Sequence, residues 1–142
     1  MATEVSIDID APIDSVWADL ANLASHVEWM ADADSLTYRG DQKTGAGTVI
    51  EVLTKVGPLK TVDVLTFTVW EPPHTMIATH SGVVKGEGIF RLTDLGNDRT
   101  RFTWAEELDM PWYFGGNLFR PVSEPVLRLI WKKNLQRLAD RF

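Results

Sequence analysis

An α+β fold is predicted for this chain: a curved antiparallel sheet of seven strands around one long C-terminal helix, with two short helices after the first strand. Three observations predict it. Residues 3–30 (TEVSIDIDAPIDSVWADLANLASHVEWM) alternate like a strand and then switch to helical spacing, the middle of the chain is a run of short segments divided by turn residues, and residues 116–142 carry apolar side chains at helical spacing. Two such ends can clamp a curved sheet and leave an interior, which is the layout of a small-molecule container.

Each element has a local cause. Val5, Ile7 and Ile9 alternate with Ser6, Asp8 and Asp10, the period of two of a strand with one buried face. Ala11-Pro12 stops that strand, and a proline costs nothing in a first helical turn, where its missing N–H has no partner anyway. Ile13, Val16, Trp17 and Leu20 then continue at three- and four-residue spacing to Ala21, and Asn22 is suited to cap a second short helix running through Val27 to Met30. Further strands are expected over Ser35–Arg39, Thr48–Thr54, Leu59–Trp70, Thr75–Ser81, Val84–Thr93 and Thr100–Leu108. Their separators are rich in Gly, Pro, Asn and Asp, and connections this short favour an antiparallel meander.

In the last segment Leu118, Val122, Val126, Leu129 and Ile130 form one stripe, which Leu127, Trp131, Leu135 and Leu138 broaden. An apolar arc of that width belongs against a large surface. Pro121 and Pro125 interrupt its first half, because a proline inside a helix removes a hydrogen bond and crowds the preceding turn. A kinked lead-in is therefore expected, with the regular helix beginning near Ser123 or Glu124.

At 142 residues the chain has the length of one domain, spanning 1–142, with one sizeable core. Its 44% hydrophobic and 24% charged content is that of a globular protein. A formal net charge of −6 argues against nucleic acid or an anionic lipid surface as partner, since both reward a basic surface. The charge is uneven, +4 from Gly115 onward and −10 before it. Cations in the last turns suit the negative end of a helix dipole. Cysteine is absent, which excludes disulfides and thiolate chemistry. MATEVSIDID is not a basic leader followed by an apolar core, and no 18-residue apolar run occurs, so a cytoplasmic protein without integral membrane association is expected.

Particular residues carry a family resemblance: the opening IDIDAPIDSVW, the short second helix ending in His26-Val27-Glu28-Trp29-Met30, the Trp70-Glu71-Pro72-Pro73 turn, and Thr100-x-Phe102-Thr103-Trp104 in the last strand. In that order they resemble the START-like (SRPBCC) superfamily of polyketide cyclase/dehydrase and lipid-transport proteins, over nearly the whole chain. The resemblance implies the helix-grip fold, in which an antiparallel sheet wraps a C-terminal helix around a cavity for hydrophobic molecules. One departure is that Trp29 is followed by Met30 where many relatives have proline. Members include binders, transporters and a minority of cyclases, so fold alone does not assign activity.

The candidate site residues are mostly aromatic. Trp29, Phe67, Phe90, Phe102, Trp104 and Tyr113 come from separate segments that this fold would gather around one interior, with Val122 and Val126 from the helix. Small-molecule pockets are mostly apolar with a few placed polar groups, and Glu106 and His80 are the polar candidates. Glu106 shares strand parity with Phe102 and Trp104, and His80 shares it with Met76 and Ala78. The inner parity of Leu59–Trp70 is left open by apolar residues on both sides.

The first expectation is a binder of a hydrophobic or aromatic small molecule (a lipid, quinone or polyketide-like compound). The first alternative is a cyclase or dehydratase in which Glu106, His80 or Arg91 moves protons. The second is a protein-interaction module using the basic helix around Lys132 and Lys133. No cofactor is expected, and neither the three scattered histidines nor the Asp32/Asp34 pair has metal-site spacing. His26 is expected on the solvent side. Gly82, Gly86 and Gly88 lack a phosphate-loop pattern and are expected to mark a bulge or a close approach of the terminal helix. Trp112-Tyr113-Phe114-Gly115-Gly116 is a candidate lid.

Overall fold

A computed structural model describes residues 2–82, 85–109 and 120–142, with the side chains of 2, 56, 59 and 120–124 excepted. Strand β1 (Ala2–Ile9) leads into helix α1 (Ile13–Ala21), a 3-10 turn (Leu23–Ser25) and the short helix α2 (His26–Trp29). Strands β2 (Ala33–Tyr38), β3 (Val49–Val56), β4 (Leu59–Glu71), β5 (Thr75–Ser81), β6 (Lys85–Gly96) and β7 (Arg99–Asp109) follow, and helix α3 (Arg120–Ala139) closes the chain. All seven strands form one sheet in the order β1-β7-β6-β5-β4-β3-β2, and every pairing is antiparallel.

The expected meander is β2 to β7. The first strand joins its far end by pairing with β7, Val5 opposite Trp104 and Ile7 opposite Phe102. The first two strands are thereby at opposite edges of a curled half-barrel, and α1 and α2 cross between them. The corner after β1 is held by the buried Thr100 hydroxyl, which donates to the Ala11 carbonyl at 2.8 Å. Asn22 precedes the 3-10 turn, but without a side-chain cap. Its carbonyl instead accepts from the Ser25 backbone at 3.0 Å and the Ser25 hydroxyl at 2.8 Å.

The inner face of the sheet carries Val5, Ile9, Ile50, Phe67, Met76, Ala78, Leu92, Phe102 and Trp104, all buried. Val16, Trp17 and Leu20 of α1, then Leu23 and Trp29, and Trp131, Leu135 and Leu138 of α3 cover it. In β4 a register shift between Phe67 and Val69 settles the open parity. Asp63 and Phe67 are buried on one side of the bulge, and beyond it Trp70 turns inward against Trp17 and Phe67, with ring centroids 5.8 and 5.5 Å apart. A bulge adds one residue to one strand, so the side-chain alternation resumes in the opposite phase.

Two expectations for the last helix are corrected. It is helical from Arg120, and Pro125 lies inside it. Pro121 falls in the first turn, where N–H groups have no intrahelical acceptor, so only Pro125 removes a bond. The stripe is also rotated, since Val126 and Leu129 are 52% and 55% exposed whereas Trp131, Leu135 and Leu138 are buried. At about 100° per residue, the latter three share one face and the former two lie roughly opposite it. Val126 is therefore not an interior residue. Asn134, with Trp131, Leu135 and Leu138 on the inner face, is completely buried.

Candidate functional site: a polar cluster beside an aromatic core

The aromatic core centres on Trp29, which is fully buried. Its ring centroid lies 6.3 Å from Phe90, 6.3 Å from Phe102 and 6.1 Å from Trp104. Phe90 meets Phe102 at 5.1 Å and Trp104 at 5.6 Å, all in the tilted or edge-on geometries that aromatic quadrupoles favour. Trp131 of α3 stacks on Trp104 at 5.1 Å, so the last strand and last helix meet through two indoles.

Strand alternation puts Glu106 two residues beyond Trp104 on the same face, and the Trp104 indole donates to Glu106 Oε1 at 2.8 Å. Glu106 Oε2 stands 3.2 Å from His80 Nε2. The register explains the meeting. One row across the sheet reads Phe67, Ala78, Gly88, Glu106, Thr3, and the next reads Leu65, His80, Gly86, Leu108. His80 and Glu106 are diagonal neighbours with glycines between them. A methyl group at Gly88 would lie 3.1–3.3 Å from the Glu106 carboxylate. The glycines therefore admit the carboxylate and neighbouring strands, where a bulge or a close approach of the terminal helix was expected.

Asp63 of β4, 8% exposed, accepts from the Thr54 hydroxyl through Oδ2 at 3.1 Å. Asp32, just before β2, accepts from Asn134 at 2.7 Å, and Asn134 Oδ1 takes the Ala31 backbone N–H at 3.0 Å and an Arg137 N–H. Burial pushes the Asp63 carboxyl above the ordinary carboxylate range, against the pull of His80 and Thr54. Burial raises Asp32 likewise, against the bond from Asn134. Burial also opposes charging of His80, but contact with Glu106 and the charges of Glu106 and Asp63 outweigh it and raise the imidazole above its usual value. Among the described residues Asp63 Oδ1, His80 Nδ1 and Trp29 Nε1 are buried without a hydrogen-bond partner, and His80 Nε2 and Glu106 Oε2 meet only each other, at 3.2 Å. Buried polar atoms in folded proteins are nearly always satisfied by protein or ordered water, so these three atoms at the aromatic core have bonding capacity left for a further polar partner.

The structure brings together Trp29, Phe90, Phe102, Trp104, His80 and Glu106, while Phe67 packs against Trp70 one strand further on. Val126 is excluded by its exposure. Tyr113 and the whole Trp112–Gly116 segment lie outside the described residues, and Val122 is described only as helix backbone. Arg91 is exposed, because its neighbours Phe90 and Leu92 take the inner parity. Lys132 and Lys133 are also exposed. Three participants were missed from sequence. Asp63 had a signal, a lone carboxylate within the apolar TVDVLTF sharing parity with Leu65 and Phe67. Asn134 had one in its spacing from Trp131 and Leu138. Asp32 had none, since nothing local says that a loop aspartate will meet a helix residue about a hundred positions later. Asp34 pairs with Lys55 at 3.2 Å, and among the described residues no group of His, Asp and Glu is arranged to hold a metal ion.

His26 faces inward rather than toward solvent. Its Nε2 lies 2.8 Å from the Leu20 carbonyl and its ring packs on Trp29 and Phe90. Burial lowers its pKa to about 4. An unfolded histidine protonates near 6.5, so stability is complete above that value and falls as pH drops toward about 4, where the native ring also charges. The loss expected over that window is about 3 kcal/mol. Urea melts at pH 7 and pH 4.5 should show it, and His26→Gln, whose amide can donate to Leu20, should remove most of the difference. His80 has the opposite sign: its contribution is full below pH 6.5 and is lost as pH rises through its elevated native value.

Known proteins share the fold. The family model described as polyketide cyclase / dehydrase and lipid transport matches residues 2–142. A search of curated proteins by sequence found no match. Similar solved structures include a protein from Thermus thermophilus, 18% identical with a TM-score of 0.81 over 99% of this chain and 96% of that one. The Zhui aromatase/cyclase from a Streptomyces species is 14% identical with a TM-score of 0.78, over 99% and 92%. A START superfamily protein from Mycobacterium smegmatis is 13% identical with a TM-score of 0.66, over 98% and 92%. Identities this low establish the shared helix-grip fold, and among the described residues no helix is long and apolar enough to cross a membrane. With the match running from Ala2 to Phe142, the chain belongs to the polyketide cyclase/dehydrase and lipid-transport family.

Proposed function

We propose that the protein binds a hydrophobic or aromatic small molecule between the sheet and the C-terminal helix, its apolar part against Trp29, Phe67, Phe90, Phe102 and Trp104 and its polar part at His80 and Glu106. The observation that carries this reading is the set of three unpartnered polar atoms at the aromatic core, Asp63 Oδ1, His80 Nδ1 and Trp29 Nε1. A polar group buried without a partner costs about 1–3 kcal/mol, and a ligand group that supplies the missing bonds recovers that cost. The same family contains lipid-transport proteins and cyclases, and both handle apolar molecules. Native mass spectra and thermal melts should be recorded with fatty acids, isoprenoid quinones and aromatic polyketides. A ligand at 100 times its Kd should add about 2.7 kcal/mol, visible as a rise of several degrees. A chain that retains none of them and melts unchanged would sink the reading.

A second reading, cyclase or dehydratase, is favoured by one contact. His80 and Glu106 at 3.2 Å form a proton-relay pair beside the aromatic wall, and general acid–base groups of this kind contribute typically about 10²–10⁴-fold to a rate. It requires that Glu106→Gln abolish turnover of a bound polyketide-type substrate while leaving its Kd within a few-fold. Equal losses in binding and turnover would leave only the binding role.

A further inference from the structure

Resting on the binding reading, we infer that the polar end of this interior selects a neutral hydroxyl, an alcohol or phenol, and rejects a carboxylate. The charge and bonding inventory carries the inference. Three carboxylates, Asp32, Asp63 and Glu106, influence one another there, and the imidazole of His80 lies 3.2 Å from Glu106 and feels the charges of Glu106 and Asp63. Among the described residues Arg137 also acts on the group, through Asp32, and it is held by the Trp29 carbonyl and Asn134. With all of these described groups ionised, three negative charges stand against two positive ones. An anionic head entering this end would meet like charge in a poorly solvated place, where repulsion is least screened.

The orphaned atoms narrow the class further. Asp63 Oδ1, on a residue 8% exposed, is an acceptor without a hydrogen-bond partner among the described residues, and Glu106 Oε2, equally buried, meets only His80 Nε2. His80 Nδ1 is a donor when the ring is charged, and Trp29 Nε1 is a donor always. An incoming group must therefore both donate to a carboxylate and accept from an N–H. A hydroxyl does both through one oxygen. An ether only accepts, an ammonium only donates and leaves the N–H groups of Trp29 and His80 without an acceptor, and a carboxylate only accepts while carrying the wrong charge. The absence of a side chain at Gly88 is what lets the Glu106 carboxylate lie against the sheet there. This is a statement about the head group, and the aromatic core sets no comparable demand on the rest of the ligand.

The test uses two apolar frames, n-decyl and 2-naphthylethyl, each carrying a hydroxyl, a methyl ether, an amine or a carboxylate. Binding is read at pH 7 by quenching of tryptophan fluorescence and by native mass spectrometry. The hydroxyl member should bind at least about tenfold more tightly than the ether and the carboxylate of the same frame, the worth of one buried hydrogen bond. Asp63→Asn removes one charge at nearly constant shape and should narrow the gap between hydroxyl and carboxylate by about the same factor. Glu106→Gln gives the same readout if the first variant does not fold. A carboxylate or ether that binds as well as the hydroxyl overturns this inference while leaving the binding reading intact. A preference that neither variant changes removes the carboxylates as its cause and overturns it too. If no member of either frame binds, the binding reading itself fails and takes this inference with it.

Discussion

Trp29→Ala is expected to lower the unfolding free energy by about 3–5 kcal/mol, the usual cost of deleting a buried large aromatic. Trp29 is completely buried, and it is the ring against which Phe90, Phe102, Trp104 and His26 all pack. Its removal leaves a gap that no one neighbour can fill, because those rings are themselves held by strand register and helix turns. Its backbone carbonyl also accepts from Arg137 at 3.1 Å, a bond the alanine variant keeps, so the measured loss reports on the ring. Urea melts of the wild type, Trp29→Phe and Trp29→Ala check this. Phenylalanine should recover much of the loss, and it also removes the orphaned indole N–H. An alanine variant that loses less than about 1 kcal/mol would show the aromatic core to be loosely packed there.

Gly86→Ala should be comparably severe for a different reason. Gly86 has φ +139°, and a methyl group built on it would lie 1.8 Å from the Glu107 carbonyl oxygen across the β6–β7 pair. No rotamer relieves that contact, since both partners are backbone. Either the strands separate locally, losing ladder bonds next to His80 and Glu106, or Gly86 leaves a conformation that L residues rarely adopt. Overpacking alone costs about 1–3 kcal/mol, and backbone strain at such a φ adds about 1–3 kcal/mol. A loss of about 3 kcal/mol or more in chemical denaturation is expected from the two together. Gly88→Ala is the informative contrast, because its new methyl group would meet only the end of the Glu106 side chain, which can rotate. It should fold with a smaller loss and weaken ligand binding instead. Equal stability losses in the two variants would mean that strand spacing, rather than the single carbonyl, sets the requirement.

How much of the site was legible depends on whether a residue's partner is local. Glu106 could be placed beside Trp104 from alternation alone, and the two do share a hydrogen bond. Asp63 and Leu65 sit where parity puts them once the inner face is known, but apolar residues on both sides of β4 hide that face, and a bulge reverses it midway. His26 looked like a surface residue because the helix before Trp29 is too short to show an amphipathic period. Its burial comes in part from Phe90, distant in the chain. Val126 fails for a related reason: the helix is apolar over so wide an arc that spacing does not say which part faces the sheet. The answer came from Trp131 meeting Trp104.

The sequence by itself determined the elements and their order. Period-two alternation, proline and glycine punctuation and a final helical stripe are local properties, each imposed within a few residues by backbone sterics and side-chain direction. Only the tertiary structure decided which strands meet and what they surround. Pairing of β1 with β7, the diagonal of His80 over two glycines to Glu106, and the reach of Asn134 to Asp32 across 102 positions join segments far apart in the chain. Such contacts are selected by the joint burial of the whole inner face and the pairing of buried polar groups, and neither quantity exists until the sheet has curled around its helix.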